Sequence, residues 1–183
     1  MYEEMIVRHC SPTLAGMKAG NMFSVPYECP AQLLGEIRQL NRRLKEKGLR
    51  MIPLKISKKR ALLYLYRESR LTEDFSDELT KKLLEQEGYE NDRCKNCIAR
   101  LAGKIRETDC IPHEIGLFLG YPSEDVDGFI RHKACDYKCV GCWKVYGDEE
   151  KAQKTFAAYK KCTEIYCARW AAGMPLEQLA VAG

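Results

Sequence analysis

Two apolar runs, LRMIPLKI (49–56) and ALLYLY (61–66), are separated by the polar tetrapeptide SKKR and flanked by stretches of helical periodicity. Short runs of this kind joined by a polar link read as an antiparallel hairpin, and that commits the chain to a sheet with helices beside it. Pro53 lacks the N–H that a ladder needs, so the first strand belongs at an edge or at a bulge. After Pro30, Leu33, Leu34, Ile37, Leu40 and Leu44 recur at three- and four-residue steps, and Gly48 follows as a C-terminal cap, which predicts an amphipathic helix. Leu71, Phe75, Leu79 and Leu83 predict a second helix running to Gly88. The opening stretch MIVRHCSPTLAGMKAGNMFSV reads as one or two strands joined by a turn around Gly16 and Gly20. The resulting order is βαββα.

The remainder is mostly helical, with segments expected at about 92–107, 113–119 and 123–133. In GYPSEDV, Gly120 can end one helix, Pro122 prevents its continuation, and Ser123 followed by acids can cap the next. WKVY is a short strand candidate, and Asp148, Glu149 and Glu150 open a long helix reaching Trp170, with Gly173 and Pro175 ending it. No internal repeat or linker interrupts the pattern. The expected fold is one α+β domain over residues 1–183, a small mixed or antiparallel sheet from the N-terminal half packed against a predominantly helical C-terminal half. A chain of 183 residues can bury a sufficient core without staples.

Net charge is +4, from 30 basic and 26 acidic residues, which is far from the basic bias of a dedicated nucleic-acid binder. The run Arg38, Arg42, Arg43, Lys45 and Lys47 lies at a helix C-terminus, where cations complement the dipole, so a solvated face explains it. Apolar runs such as IGLFLGY fall well short of the roughly 20 residues of a membrane span. The first ten residues, MYEEMIVRHC, carry two acids and no apolar stretch of signal-peptide length, so the expected location is the cytoplasm. There thiols stay reduced, and each of the ten cysteines is core filler, metal ligand or redox group.

CDYKCVGCWKVYGDEE (135–150) concentrates that question, with Cys135, Cys139 and Cys142 spaced C-x3-C-x2-C. A glycine inside C-x2-C permits the tight turn that lets two thiolates converge on one ion, and CVGC meets that condition. The three-cysteine spacing equals that of the radical S-adenosylmethionine loop, but the large barrel of those enzymes has no room in residues 143–183. A zinc or iron–sulfur site would use Cys139 and Cys142, with Cys162 the preferred further ligand and Cys135, Cys94, Cys97 or a histidine as other donors. The alternative is burial of the thiols with no metal. Cys94 and Cys97 form CKNC, yet with Ile98, Leu101, Ala102 and Ile105 they make one apolar stripe, which packing explains. Cys162 and Cys167 stand about 140° apart around their helix and are not expected to share an ion.

His9 and Cys10 suggest a nucleophile and its base, but neighbours on a strand point to opposite faces, so a partner such as His113 would be needed. HEIGL lacks the second histidine of the zinc-protease pattern. In LAGMKAGN, Lys18 and Asn21 between two glycines could cradle an anion, although the spacing fits a tight turn better. An enzyme of unrecognised type would unite His9, Cys10, Lys18 and His113 across the sheet.

The stretches RHCSPTLAGMKAGNMF, RALLYLYR, HEIGLFLGYPSEDVDGFI and CVGCWKVYGDEEKAQKTFAAYKKCT together resemble an uncharacterised bacterial family, domain of unknown function 3793, found mostly in anaerobes. The resemblance covers nearly the whole chain. It implies weight on His9, Cys10, Lys18, Asn21, His113, Glu114, Cys139, Cys142, Trp143 and Cys162, and less on Cys94, Cys97, Cys135 and Cys167. It also implies a flavodoxin-like or iron-handling protein as partner. The function expected first is therefore a thiol- or metal-dependent accessory protein of anaerobic redox or iron metabolism. The alternatives are the His/Cys/Lys enzyme and a binding module for nucleic acid or protein that uses the basic helix or exposed aromatics such as Trp143.

Overall fold

The computed structural model describes residues 2–89, 94–108 and 110–183. In chain order the elements are helix α1 (Glu3–Leu14), strand β1 (Gly20–Pro26), helix α2 (Pro30–Leu44) continued by one 3-10 turn (Lys45–Lys47), and strands β2 (Leu49–Ile56) and β3 (Arg60–Arg67). Helices α3 (Glu68–Asp74), α4 (Glu78–Gln86), α5 (Cys94–Thr108), α6 (Ile115–Phe118) and α7 (Ser123–Arg131) follow. Short strands β4 (Cys139–Val140) and β5 (Lys144–Val145) precede helices α8 (Glu149–Ala171) and α9 (Leu176–Leu179). The class is α+β, as the periodicities predict. The elements divide between two compact units, one made of the chain up to Arg70 together with Cys162–Gly183, the other of Leu71–Lys161.

In the first unit the sheet is antiparallel in the order β1-β3-β2, with Leu63 of β3 opposite Phe23 and Pro53. Pro53 lies both on an edge strand and beside the bulge between Pro53 and Lys55, the two places where its missing N–H costs no ladder bond. The other backbone edge of β2 is occupied at Met51, where Asn41 of α2 donates to the carbonyl at 2.8 Å and accepts from the N–H at 2.7 Å. Leu33, Ile37, Leu40 and Leu44 put the apolar stripe of α2 into a core shared with Leu63, Leu65 and Met51. Gly48 caps the helix at φ 69°.

The start of the chain departs from the strand expectation. Residues 3–14 are helical because Ile6, Val7, Cys10 and Leu14 form a buried stripe at helical spacing, which outweighs the β preference of the branched residues. Pro12 sits within the last turn, and the Ser11 hydroxyl donates to the Val7 carbonyl. The helix ends where Gly16 takes φ 72° and Met17 N–H closes back onto Pro12 O at 2.8 Å. The one strand of this stretch is β1.

In the second unit, the single helix expected over 71–83 is two. Asp77 adopts extended backbone (ψ 135°) and its carboxylate accepts from Thr80 N–H at 2.9 Å, so a new helix starts there. The predicted segment at 92–107 appears as α5, residues 92 and 93 lying outside the described residues; Cys97, Ile98, Leu101, Ala102 and Ile105 are its buried face. Glu114, 2% exposed, accepts from Tyr89 Oη at 2.8 Å and from Lys104 Nζ at 2.6 Å, so its charge is paired inside the unit. Pro122, not Ser123, is the N-cap of α7, and the Ser123 side chain bonds Asp77 instead. Asp148 caps α8 by accepting from Lys151 N–H at 3.0 Å. Among the described residues, no helix is long and apolar enough to cross a membrane.

Candidate functional site

The CVGC segment forms the turn of the β4–β5 hairpin, in which Cys139 pairs with Val145 and Val140 with Lys144. A two-residue ladder does not hold itself, and Asp125 on α7 anchors it. One carboxylate oxygen accepts from Trp143 Nε1 at 2.6 Å, the other from the N–H groups of Tyr146 and Gly147, both at 2.7 Å. With Asp125 only 3% exposed, these three donors offset the cost of burying its charge.

Gly141 does not take the left-handed conformation, so the knuckle turn is not why glycine stands there. A Cβ at this position would come 2.2 Å from the Phe156 ring, and the glycine is what lets that ring of α8 close against the hairpin. Trp143 is likewise not an exposed aromatic. It is 8% exposed, in a core with Val145, Ala152 and Tyr159, and its ring meets Phe156 edge-on at 4.5 Å and Tyr121 at 4.8 Å.

The two thiols of the knuckle have different surroundings. Cys139 packs against the Trp143 core and bonds the side chains of Gln153 and Glu149 on α8; burial, and then the negative charge of Glu149, push its thiol above the ordinary range. Cys142 is exposed on the wall of a cavity of about 420 Å³ that Tyr121, Val126, Phe129, Trp143 and Lys144 also line. Burial, with a contribution from Cys142, pushes the Tyr121 hydroxyl up to about 12. His113, exposed and edge-on to Phe129 at 5.3 Å, stands on the same wall. Sequence reasoning had named Cys142 and His113 separately, and the structure brings them to one cavity.

The other candidates lie elsewhere. Cys162 belongs to the first unit, 8% exposed in the apolar core with Tyr166, and burial raises its thiol. Cys10 is wholly buried on α1; its thiol stands far above the usual range through burial, which the Lys18 ammonium only partly opposes. His9, its neighbour on a helix and not a strand, is exposed and stacks on Phe23 at 5.7 Å. Lys18 is 5% exposed, and Asn21 Oδ1 accepts from Thr13 Oγ1 at 2.7 Å. His9, Cys10 and Lys18 belong to the first unit, His113 to the second. Among the described residues, no three His, Cys, Asp or Glu side chains are grouped to hold a metal ion.

Sequence reasoning missed Tyr121, Asp125, Phe129 and Lys144. Asp125 passed as one of several acids at a helix start, and Lys144 as one of many lysines; only the hairpin's position against α7 distinguishes them. Comparison with curated proteins and with solved structures finds no match in either. The sequence model of one family, described as protein of unknown function (DUF3793), matches residues 6–180 and so takes in both units and the whole cavity wall; the chain belongs to that family.

Proposed function

We propose that this chain is a thiol-bearing binding protein whose second unit takes a compact, flat, largely apolar molecule into the cavity beside Cys142. The observation that carries the reading is the convergence of an exposed thiol with the rings of Tyr121, Phe129 and Trp143 around about 420 Å³. That volume lies within the roughly 300–1,000 Å³ usual for small-molecule sites, which are apolar pockets with a few placed polar groups. Cys142 differs here from Cys10 and Cys162, whose burial keeps them as inert thiols. The reading keeps the thiol part of the accessory role expected from the sequence. It routes nothing through a metal, and a setting in redox or iron metabolism beside a flavodoxin-like partner rests on the family resemblance.

The test is the rate at which iodoacetamide alkylates each cysteine of the native protein, mapped by mass spectrometry. Exposed Cys29, Cys110 and Cys135 serve as internal references. Saturating small aromatic probes are expected to slow Cys142 by about fivefold or more while leaving the references unchanged, since an occupied pocket excludes the reagent. If Cys142 reacts at the same rate with every probe, the cavity is not a binding site.

A further inference from the structure

We infer that the molecule taken by this cavity is an anion, a small aromatic carboxylate whose apolar body lies against Trp143 and Phe129 and whose carboxylate meets Lys144. The inference rests on the reading of the cavity given above and adds the chemical class of its ligand.

Lys144 is half-buried in the cavity wall, and its ammonium is held by neutral groups. It donates to Ala134 O at 2.7 Å and lies 4.6 Å from the centroid of the Tyr137 ring and 6.0 Å from that of Phe129. A carbonyl and two ring faces stabilise a cation without neutralising it. Among the described residues, one of its three N–H groups is used, by Ala134. A cation already partly desolvated forms a strong charge-assisted bond with an anion, and an apolar body on that anion is buried against the rings at the same time.

The acid on the same wall does not compete. Each oxygen of Asp125 is already turned to the hairpin, to Trp143 Nε1 on one side and to the N–H groups of Tyr146 and Gly147 on the other. Asp125 keeps its charge, but with both oxygens engaged by the hairpin Lys144 is the cation of this wall with which an anion can pair, and the His113 ring stands on the same wall.

The backbone that holds Lys144 is under strain. Lys133, Ala134 and Asp136 all take positive φ, 48°, 63° and 56°, without being glycine. Left-handed conformations are unfavourable for L-residues, and such strain persists only where surrounding structure fixes it. The Ala134 carbonyl within this segment accepts from the Lys144 ammonium and holds it within 6.0 Å of the centroid of Phe129, a ring of the cavity wall.

The experiment compares benzoate with benzamide, its neutral isostere, as protectants of Cys142 against iodoacetamide in the intact chain, with Lys144→Met and Lys144→Arg beside the native protein. Benzoate is expected to protect at about tenfold lower concentration than benzamide, the effect of one charge-assisted hydrogen bond in a partly dry site. Lys144→Met should abolish that preference while leaving benzamide protection in place, and Lys144→Arg should retain it. Equal protection by the two probes, or a benzoate preference that survives in Lys144→Met, overturns the anion while the cavity stands. Failure of both probes to protect Cys142 overturns the anion together with the reading on which it rests.

Discussion

Arg67 heads the fully buried side chains by volume, and it is charged. Its guanidinium donates from Nε to Thr13 O at 2.8 Å, from Nη1 to Lys47 O at 2.7 Å, and from Nη2 to Leu14 O and Val181 O, both at 2.8 Å. These carbonyls end α1, end the turn after α2, and belong to the tail after α9, so one side chain ties three chain segments to the end of β3. Burial lowers its pKa from the ordinary arginine value, but a guanidinium starts so high that it stays charged at neutral pH. Arg67→Met keeps much of the volume and leaves those carbonyls short of a donor, each buried loss costing about 1–3 kcal/mol before relaxation. The expected result is a loss of about 2–5 kcal/mol in denaturant unfolding followed at Trp170, which packs against the same core. Arg67→Lys should recover part of it, since an ammonium lacks the planar fork that reaches several carbonyls at once. Nothing local in RALLYLYR announces this role: at the end of a strand run an arginine reads as a solvated terminus, and its burial is decided by residues 20 to 114 positions away.

At the scale of the element, Asp77 decides that residues 71–86 form two helices, and it carries a pH dependence. Its carboxyl is held below the usual carboxylate range, first by the Thr80 N–H, against a smaller opposing effect of burial, with the Ser123 and Thr80 hydroxyls helping. A carboxyl whose pKa is lower in the folded chain adds stability above its unfolded value, about 3.9 for Asp, and that contribution fades as pH falls from there through the folded value. Asp77→Ala should therefore cost about 1 kcal/mol at neutral pH, with native and variant midpoints converging below about pH 4. Asp77→Asn, whose cap does not titrate, should stay near native at neutral pH and exceed it below about pH 4. Unfolding midpoints from pH 3 to 7 check all three statements. The Leu71–Phe75–Leu79–Leu83 stripe concealed the break because its period runs straight through Asp77; a cap is visible in sequence only when the apolar pattern also stops. The same competition explains α1, where branched residues suggested strands although Ile6, Cys10 and Leu14 already lay at helical spacing. The β2–β3 hairpin and α2 were legible because propensity, period and the terminating Gly48 agree there. At the candidate site, Cys142 and His113 were legible by residue type, but Lys144, Tyr121 and Asp125 acquire their roles only from the hairpin's position on α7.

At the scale of the whole molecule, the chain builds most of the first unit, passes through the second, and returns along α8 to complete the first with Cys162–Gly183. Each unit has its own apolar core, and the two tryptophans report one each: Trp143 lies in the core of the second, Trp170 against that of the first. Single-tryptophan variants, Trp170→Phe and Trp143→Phe, can therefore follow the units separately. Leu65, wholly buried on the central strand, and Gly141, where a Cβ would meet the Phe156 ring at 2.2 Å, supply one perturbation for each. Leu65→Ala is expected to remove about 2–5 kcal/mol and lower the Trp170 midpoint, and Gly141→Ala about 1–3 kcal/mol, lowering the Trp143 midpoint. A chain with two cores need not unfold in one step, so the expected result is that each probe follows the substitution in its own unit. Coincident shifts of both probes under both substitutions would mean instead that the cores melt as the single cooperative domain that 183 residues suggest. In that case the Gly141→Ala variant would weaken the Arg67 clamp as much as it weakens the cavity around Cys142.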